Sequence, residues 1–171
     1  MDLTRISLRL IHIFAGVFWV GGSWMMVTYI GQSARALGED AAKFMQHFSL
    51  RSGFQRGMAW AAVLSVISGI WLYYLNFGDA IVVNTGAGLA LTVGGAAGII
   101  ALIIGGFVIG RSTSRMREVA DAIAAAGGPP APEQMQEMQA LQERIGRAGA
   151  VASIFMVIAL TGMTLSEWFG I

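Results

Sequence analysis

Four runs of roughly 20 apolar residues dominate this sequence. They cover about Leu10–Ile30, Met58–Phe77, Ala87–Ile109 and Ala148–Phe169. A helix rising 1.5 Å per residue needs about 20 such residues to cross about 30 Å of hydrocarbon. Strands of a membrane barrel would alternate apolar and polar positions, and these runs do not. The predicted fold is therefore all-α: one integral membrane domain over 1–171, a four-transmembrane-helix bundle running up-down-up-down. Composition excludes much else. Charged residues are 12% and hydrophobic residues 56% of the chain, against about 25% charge in a soluble domain. A net charge of +1 argues against a nucleic-acid partner. The absence of Cys removes disulfides, Cys-zinc sites, Cys-ligated iron–sulfur clusters and thiol catalysis.

Arg5 and Arg9 precede the first run, and Ala34-Arg35-Ala36 resembles a signal-peptidase site. The h-region of a signal peptide is only about 7–15 residues, so this longer run reads as a mature span. Cation placement sets the orientation. Arg35, Lys43, Arg51 and Arg56 follow span one; Arg111, Arg115, Arg117, Arg144 and Arg147 follow span three. These nine share one side, and only Arg5 and Arg9 lie on the other. The positive-inside rule makes the two long connections cytoplasmic and puts both termini outside.

The connections have their own patterns. Phe77–Gly86 is a short turn with Asn76, Gly78, Asp79 and Asn84 in it or leading to it. Ala41–Leu50 places Phe44, Met45 and Phe48 near one helical face, with His47 beside it and Lys43 and Gln46 elsewhere. That reads as an interfacial helix. Residues 111–147 read as a cytoplasmic helical hairpin. One leg carries Met116, Val119, Ala120 and Ile123, and the other Met135, Met138, Leu141 and Ile145. Gly127-Gly128-Pro129-Pro130 breaks the chain between them. Glu143 and Arg147 stand at i,i+4 for an ion pair. The hairpin either holds two spans in register or offers a Met-rich docking surface.

In lipid, close backbone approach supplies helix packing. Gly16, Gly21 and Gly22 on span one, and Gly94, Gly98, Gly106 and Gly110 on span three, are the packing candidates. They serve packing within the chain, homo-oligomers or other membrane subunits alike. Polar residues within the spans are few. No Asp or Glu lies mid-span, which weighs against proton-coupled transport. His12 is the anomaly, since an ionisable group inside the membrane is a functional candidate. Gly16, Trp19 and Ser23 continue its helix face. Three readings stay open: an imidazole hydrogen-bonded to a neighbouring helix or to interfacial water, a ligand to haem iron or copper, or a proton or quinone contact. His47 is the only other His. It lies on the opposite side of about 30 Å of hydrocarbon, so no bis-His site forms within one chain. Met163 is the best-placed thioether partner for His12 at a haem or copper site. Trp71, Tyr73, Tyr74, Trp168 and Phe169 read as interfacial anchors.

Leu8–Gly22, L-R-L-I-H-I-F-A-G-V-F-W-V-G-G, resembles the first helix of the superfamily of the copper-resistance protein D membrane domain. The HemJ-type protoporphyrinogen oxidases belong to the same group. His12 takes the family's His, Trp19 its aromatic, and Gly21-Gly22 its glycine pair. Arg56, Gly69 and Tyr73 resemble the family's second helix. The resemblance implies a small helical bundle in the bacterial inner (plasma) membrane, with a haem or copper site in some members. Three functions follow as expectations. The first is a small non-enzymatic membrane protein of this superfamily, an accessory subunit of a larger complex. The second is a haem-b oxidoreductase with His12 as axial ligand. The third is a copper-handling protein using His12 and Met163.

Overall fold

The computed structural model describes residues 2–169, apart from the side chains at positions 35, 39, 40, 42 and 43. Arg35 and Lys43, counted above among the cations, thus have side chains outside the described residues. The chain is helical, with no strand among the described residues. In order it forms α1 (Leu3–Met25), a π segment (Met26–Ile30), α2 (Gly31–Leu37), α3 (Glu39–Leu50) and α4 (Phe54–Phe77). Then follow α5 (Gly86–Ile103), a second π segment (Ile104–Gly110), α6 (Arg111–Ala126) and α7 (Pro132–Trp168).

Local chemistry places the boundaries. The Asp2 carboxylate accepts from the Thr4 amide at 3.1 Å and caps α1. Thr85 does the same for α5 through the Gly88 amide, also at 3.1 Å. Gly127, at φ +65°, ends α6 in the left-handed region where a Cβ is costly. Pro132 then opens α7, and the Gln134 side chain accepts from the Ala131 amide at 2.9 Å.

Four helical stretches are long and apolar enough to cross a membrane. The 24 residues of α4 rise about 36 Å, more than the hydrocarbon thickness. Large apolar side chains point outward along these helices: Phe14 is 72% exposed, Val17 67%, Trp60 67% and Ile154 61%. In water such patches would drive association. Against lipid tails they carry no penalty.

Two helix pairs make the most extensive contacts, α1 with α4 and α5 with α7. Both are antiparallel. In the first, Arg5 reaches Asn76 Oδ1 (3.0 Å) and the Leu75 carbonyl (2.7 Å), while Gly22 faces Met58. A cation on the last carbonyls of α4 also complements its dipole. In the second, Gly94 faces Gly162 and Gly98 faces Ala159. The pairs meet around Trp19, Ala61, Ala62, Ala101 and Met156. Small residues line this core because close approach, not apolar burial, is the gain available in lipid. Of the packing glycines, Gly16, Gly22, Gly94 and Gly98 have a neighbouring helix within 4 Å of where a Cβ would stand. Gly110 meets only the Gly105 carbonyl of its own segment, and Gly21 and Gly106 face open space.

Both π segments lie inside apolar runs that hydropathy alone shows as continuous spans. The second one leaves a mark on its neighbours. Helical Ser and Thr usually return the hydroxyl to a carbonyl three or four residues back. Thr28, Ser52, Ser68, Ser153 and Ser166 all do so. Ser112 and Thr113 are buried and find no partner among the described residues. Their i−4 carbonyls, Val108 and Ile109, belong to the π segment.

At the hairpin end, Leu50 from α3 packs with Met116 and Ala120 under Met138, Leu141 and Ile145. α3 is thus held against the hairpin at its C-terminus, while Phe44, toward its other end, is 60% exposed. Arg117 donates to the Leu50 carbonyl at 2.6 Å, and Arg51 pairs with Asp121. Arg115 bridges to Glu137 (2.6 Å) and Glu118 (3.0 Å). Its hydrogen bonds to Glu137 first, then to Glu118, hold the guanidinium above its ordinary pKa. The expected Glu143–Arg147 pair is not among the ion pairs formed.

Candidate functional site

His12 leaves α1 on the face that meets α4 and is half-buried there. The imidazole fits because α4 lacks a side chain opposite it. A Cβ on Gly69 would stand 2.8 Å from His12 Cε1 and 3.1 Å from Nδ1. Nδ1 lies 2.8 Å from the Ser65 carbonyl oxygen. A carbonyl only accepts, so Nδ1 carries the proton; this tautomer is assigned from the hydrogen bond. Ser68 Oγ sits 3.4 Å from Nδ1 and donates to the Leu64 carbonyl at 2.6 Å. In the neutral ring Nε2 then holds a lone pair, and no described hydrogen bond uses it. One turn along, Gly16 would place a Cβ 3.4 Å from Ser65 Oγ, so the seam stays tight. Trp19, 8% exposed, closes it against Ala61 and Ala62.

The structure brings His12, Gly16 and Trp19 onto one seam, as their spacing suggested. Ser65 and Ser68 belong to it too, although each looks ordinary in the sequence. Met163 lies half-buried on α7, and its carbonyl accepts from Ser166 Oγ at 2.6 Å. No described hydrogen bond or packing contact joins it to His12. His47 is exposed on α3 at the hairpin end, away from the seam. No group of three or more His, Cys, Asp or Glu is gathered among the described residues. An apolar crevice lined by Val20, Trp24, Ser153, Met156 and Val157 has no room for a water-sized molecule. Small-molecule sites usually offer about 300–1,000 Å³.

Tyr73 has a different role from the other aromatics at the terminal end. The Val82 amide donates to Tyr73 Oη at 2.9 Å, and Thr92 Oγ1 donates to the Val82 carbonyl at 3.1 Å. The Tyr73 proton is left for Thr92 Oγ1, at 2.7 Å. This three-membered ring ties the turn after α4 to α5. Trp71, Tyr74, Trp168 and Phe169 are exposed instead, in keeping with interfacial anchors.

The chain matches no family profile, no curated protein and no solved structure.

Proposed function

We propose that this chain is an integral membrane protein of the copper-resistance-D-like type that offers His12 Nε2 as an axial ligand to haem b. Four spans run up-down-up-down, with the cation-rich hairpin end in the cytoplasm and both termini outside. One observation carries the reading: Nδ1 is fixed on the Ser65 carbonyl while the Gly69 notch holds the ring in place. Imidazoles that bind metal characteristically donate the other ring N–H to a carbonyl or carboxylate, which sets the tautomer and the ring orientation. The donor set suits haem, which asks the chain for one strong axial ligand and brings four nitrogens of its own. Bound there, haem would supply a one-electron redox centre. Ser65 would hold the ring, Ser68 would offer a lone pair to the Nδ1 proton, and Trp19 would shield the seam from the core side. Met163 or a second copy of the chain would supply any further ligand.

A second reading is a non-enzymatic accessory subunit with no cofactor. Gly21, Gly95, Gly105 and Gly106 favour it, because each faces open space within this chain. Bare backbone of this kind lets a foreign helix approach closely in lipid.

The test is an absorption spectrum of the chain purified in mild detergent, as isolated and after titration with haemin. A Soret band that His12→Ala abolishes supports the haem reading. A protein that stays colourless and does not take up haemin overturns it. Stable membrane partners co-purifying with such colourless protein would support the accessory reading.

A further inference from the structure

The described arginines at the hairpin end fall into two groups. Those turned toward the hairpin are engaged: Arg51 with Asp121, Arg115 with Glu137 and Glu118, and Arg117 with the Leu50 carbonyl. Arg56, Arg111, Arg144 and Arg147 are exposed and make no ion pair or hydrogen bond among the described residues.

The second group stands in a particular place. Each arginine continues an outward-facing apolar stripe at helical spacing. Arg56 leads into Trp60 and Leu64, 67% and 47% exposed. Arg111 follows Ile103 and Phe107, and its guanidinium stacks over the Phe107 ring at 5.0 Å. Arg144 and Arg147 lead into Val151 and Ile154 on α7. The register that sets Gly94 against Gly162 and Gly98 against Ala159 brings Arg111 level with Ile145–Gly146, between Arg144 and Arg147. The one carboxylate beside them, Glu143, pairs with none of them. Cations at the foot of lipid-facing stripes stand at headgroup depth, where the complementary anion is a lipid phosphate.

We infer that Arg56, Arg111, Arg144 and Arg147 form a site for anionic phospholipid headgroups around the hairpin end of the helices. The carboxylates of the hairpin neutralise its inner cations and leave this ring for lipid. The inference needs only that the helices cross a bilayer, and it stands or falls separately from the haem reading.

The experiment is native mass spectrometry of delipidated protein titrated with phosphatidylglycerol or phosphatidylcholine in detergent. Each arginine near an anionic lipid surface contributes roughly five-fold in affinity. The triple variant R56Q/R111Q/R147Q should lose about 100-fold of the preference for phosphatidylglycerol, and R111Q alone about five-fold. R9Q removes an arginine from the opposite end and should leave the preference unchanged. If the triple variant does not fold, the single variants carry the same comparison. Equal retention of the two lipids, or an R9Q effect as large as that of R111Q, would overturn the inference. So would displacement of phosphatidylglycerol by an equal concentration of inorganic phosphate, because the site would then answer to free phosphate.

Discussion

Replacing Gly69 by Ala probes the His12 seam most directly. The new Cβ would stand 2.8 Å from Cε1 and 3.1 Å from Nδ1, where ordinary contacts begin at 3.4 Å. The ring must therefore retreat by more than about half an ångström, which stretches the 2.8 Å bond to the Ser65 carbonyl beyond useful length. Overpacking costs about 1–3 kcal/mol. An interhelical hydrogen bond in a membrane is worth about 0.6 kcal/mol on average and up to about 1.7. Ala returns about 1 kcal/mol of helix propensity. The net loss should be about 1–2 kcal/mol, summed from these terms. His12→Ala removes both the bond and the obstacle, and alone should cost about 1 kcal/mol. In that background Gly69→Ala meets no ring, so only the propensity gain remains and the sign reverses. The double-mutant cycle should therefore show a coupling of about 2–3 kcal/mol. Equilibrium unfolding in mixed micelles with increasing sodium dodecyl sulfate, followed by circular dichroism, measures it. If Gly69→Ala has the same effect in both backgrounds, to within about 0.5 kcal/mol, the ring does not occupy the notch and the argument is refuted.

Gly162→Ala should be strongly damaging to the α5–α7 contact. Its Cβ would meet the Ala90 carbonyl oxygen at 2.5 Å and Gly94 Cα at 2.9 Å, and backbone cannot swing aside. A loss of about 2–3 kcal/mol in the same unfolding assay is expected. Tyr73→Phe deletes the hydroxyl through which Val82 and Thr92 are linked, and should cost about 1–2 kcal/mol. Faster amide exchange over residues 78–85 would show that the loss is local. Gly21→Ala meets open space and should change stability by no more than about 1 kcal/mol, in the stabilising direction. A clear destabilisation in native membranes but not in detergent would reveal a partner helix on that face. Glu137→Gln cuts the exposed bridge to Arg115 and should leave the unfolding midpoint in the same assay nearly unchanged, because water screens the pair.

Several features could be read directly from the residues. Hydropathy located the apolar part of each of the four long helices, because each run had to satisfy the length of a bilayer crossing, but α1 and α7 begin well before their runs, at Leu3 and Pro132. The Gly-Gly-Pro-Pro stretch marked the hairpin tip, because Gly127 could take the left-handed conformation that ends α6. His12 was conspicuous by its type alone. Its partners were not. Ser65 takes part through its backbone carbonyl, which every residue possesses, and Gly69 takes part through a missing atom. Only the resemblance to a second helix pointed to Gly69. Charge pairing was misjudged for a related reason. Helical spacing suggested Glu143 with Arg147, whereas Arg115 found Glu137 across the hairpin, 22 residues away.

The sequence by itself determined that this chain is helical, that its four long apolar stretches suit a bilayer, and that its cations gather at one end. These are properties of single segments: length, hydropathy and charge. Tertiary structure decided which faces meet. In lipid, a side chain packed against a helix and one packed against an acyl tail are equally apolar, so hydropathy cannot tell them apart. The difference lies in shape, in the gaps at Gly16, Gly69, Gly94 and Gly162 that let backbones approach. Only the assembled register turned those gaps into a seat for one imidazole, and left four arginines without a carboxylate partner among the described residues at the foot of the apolar stripes.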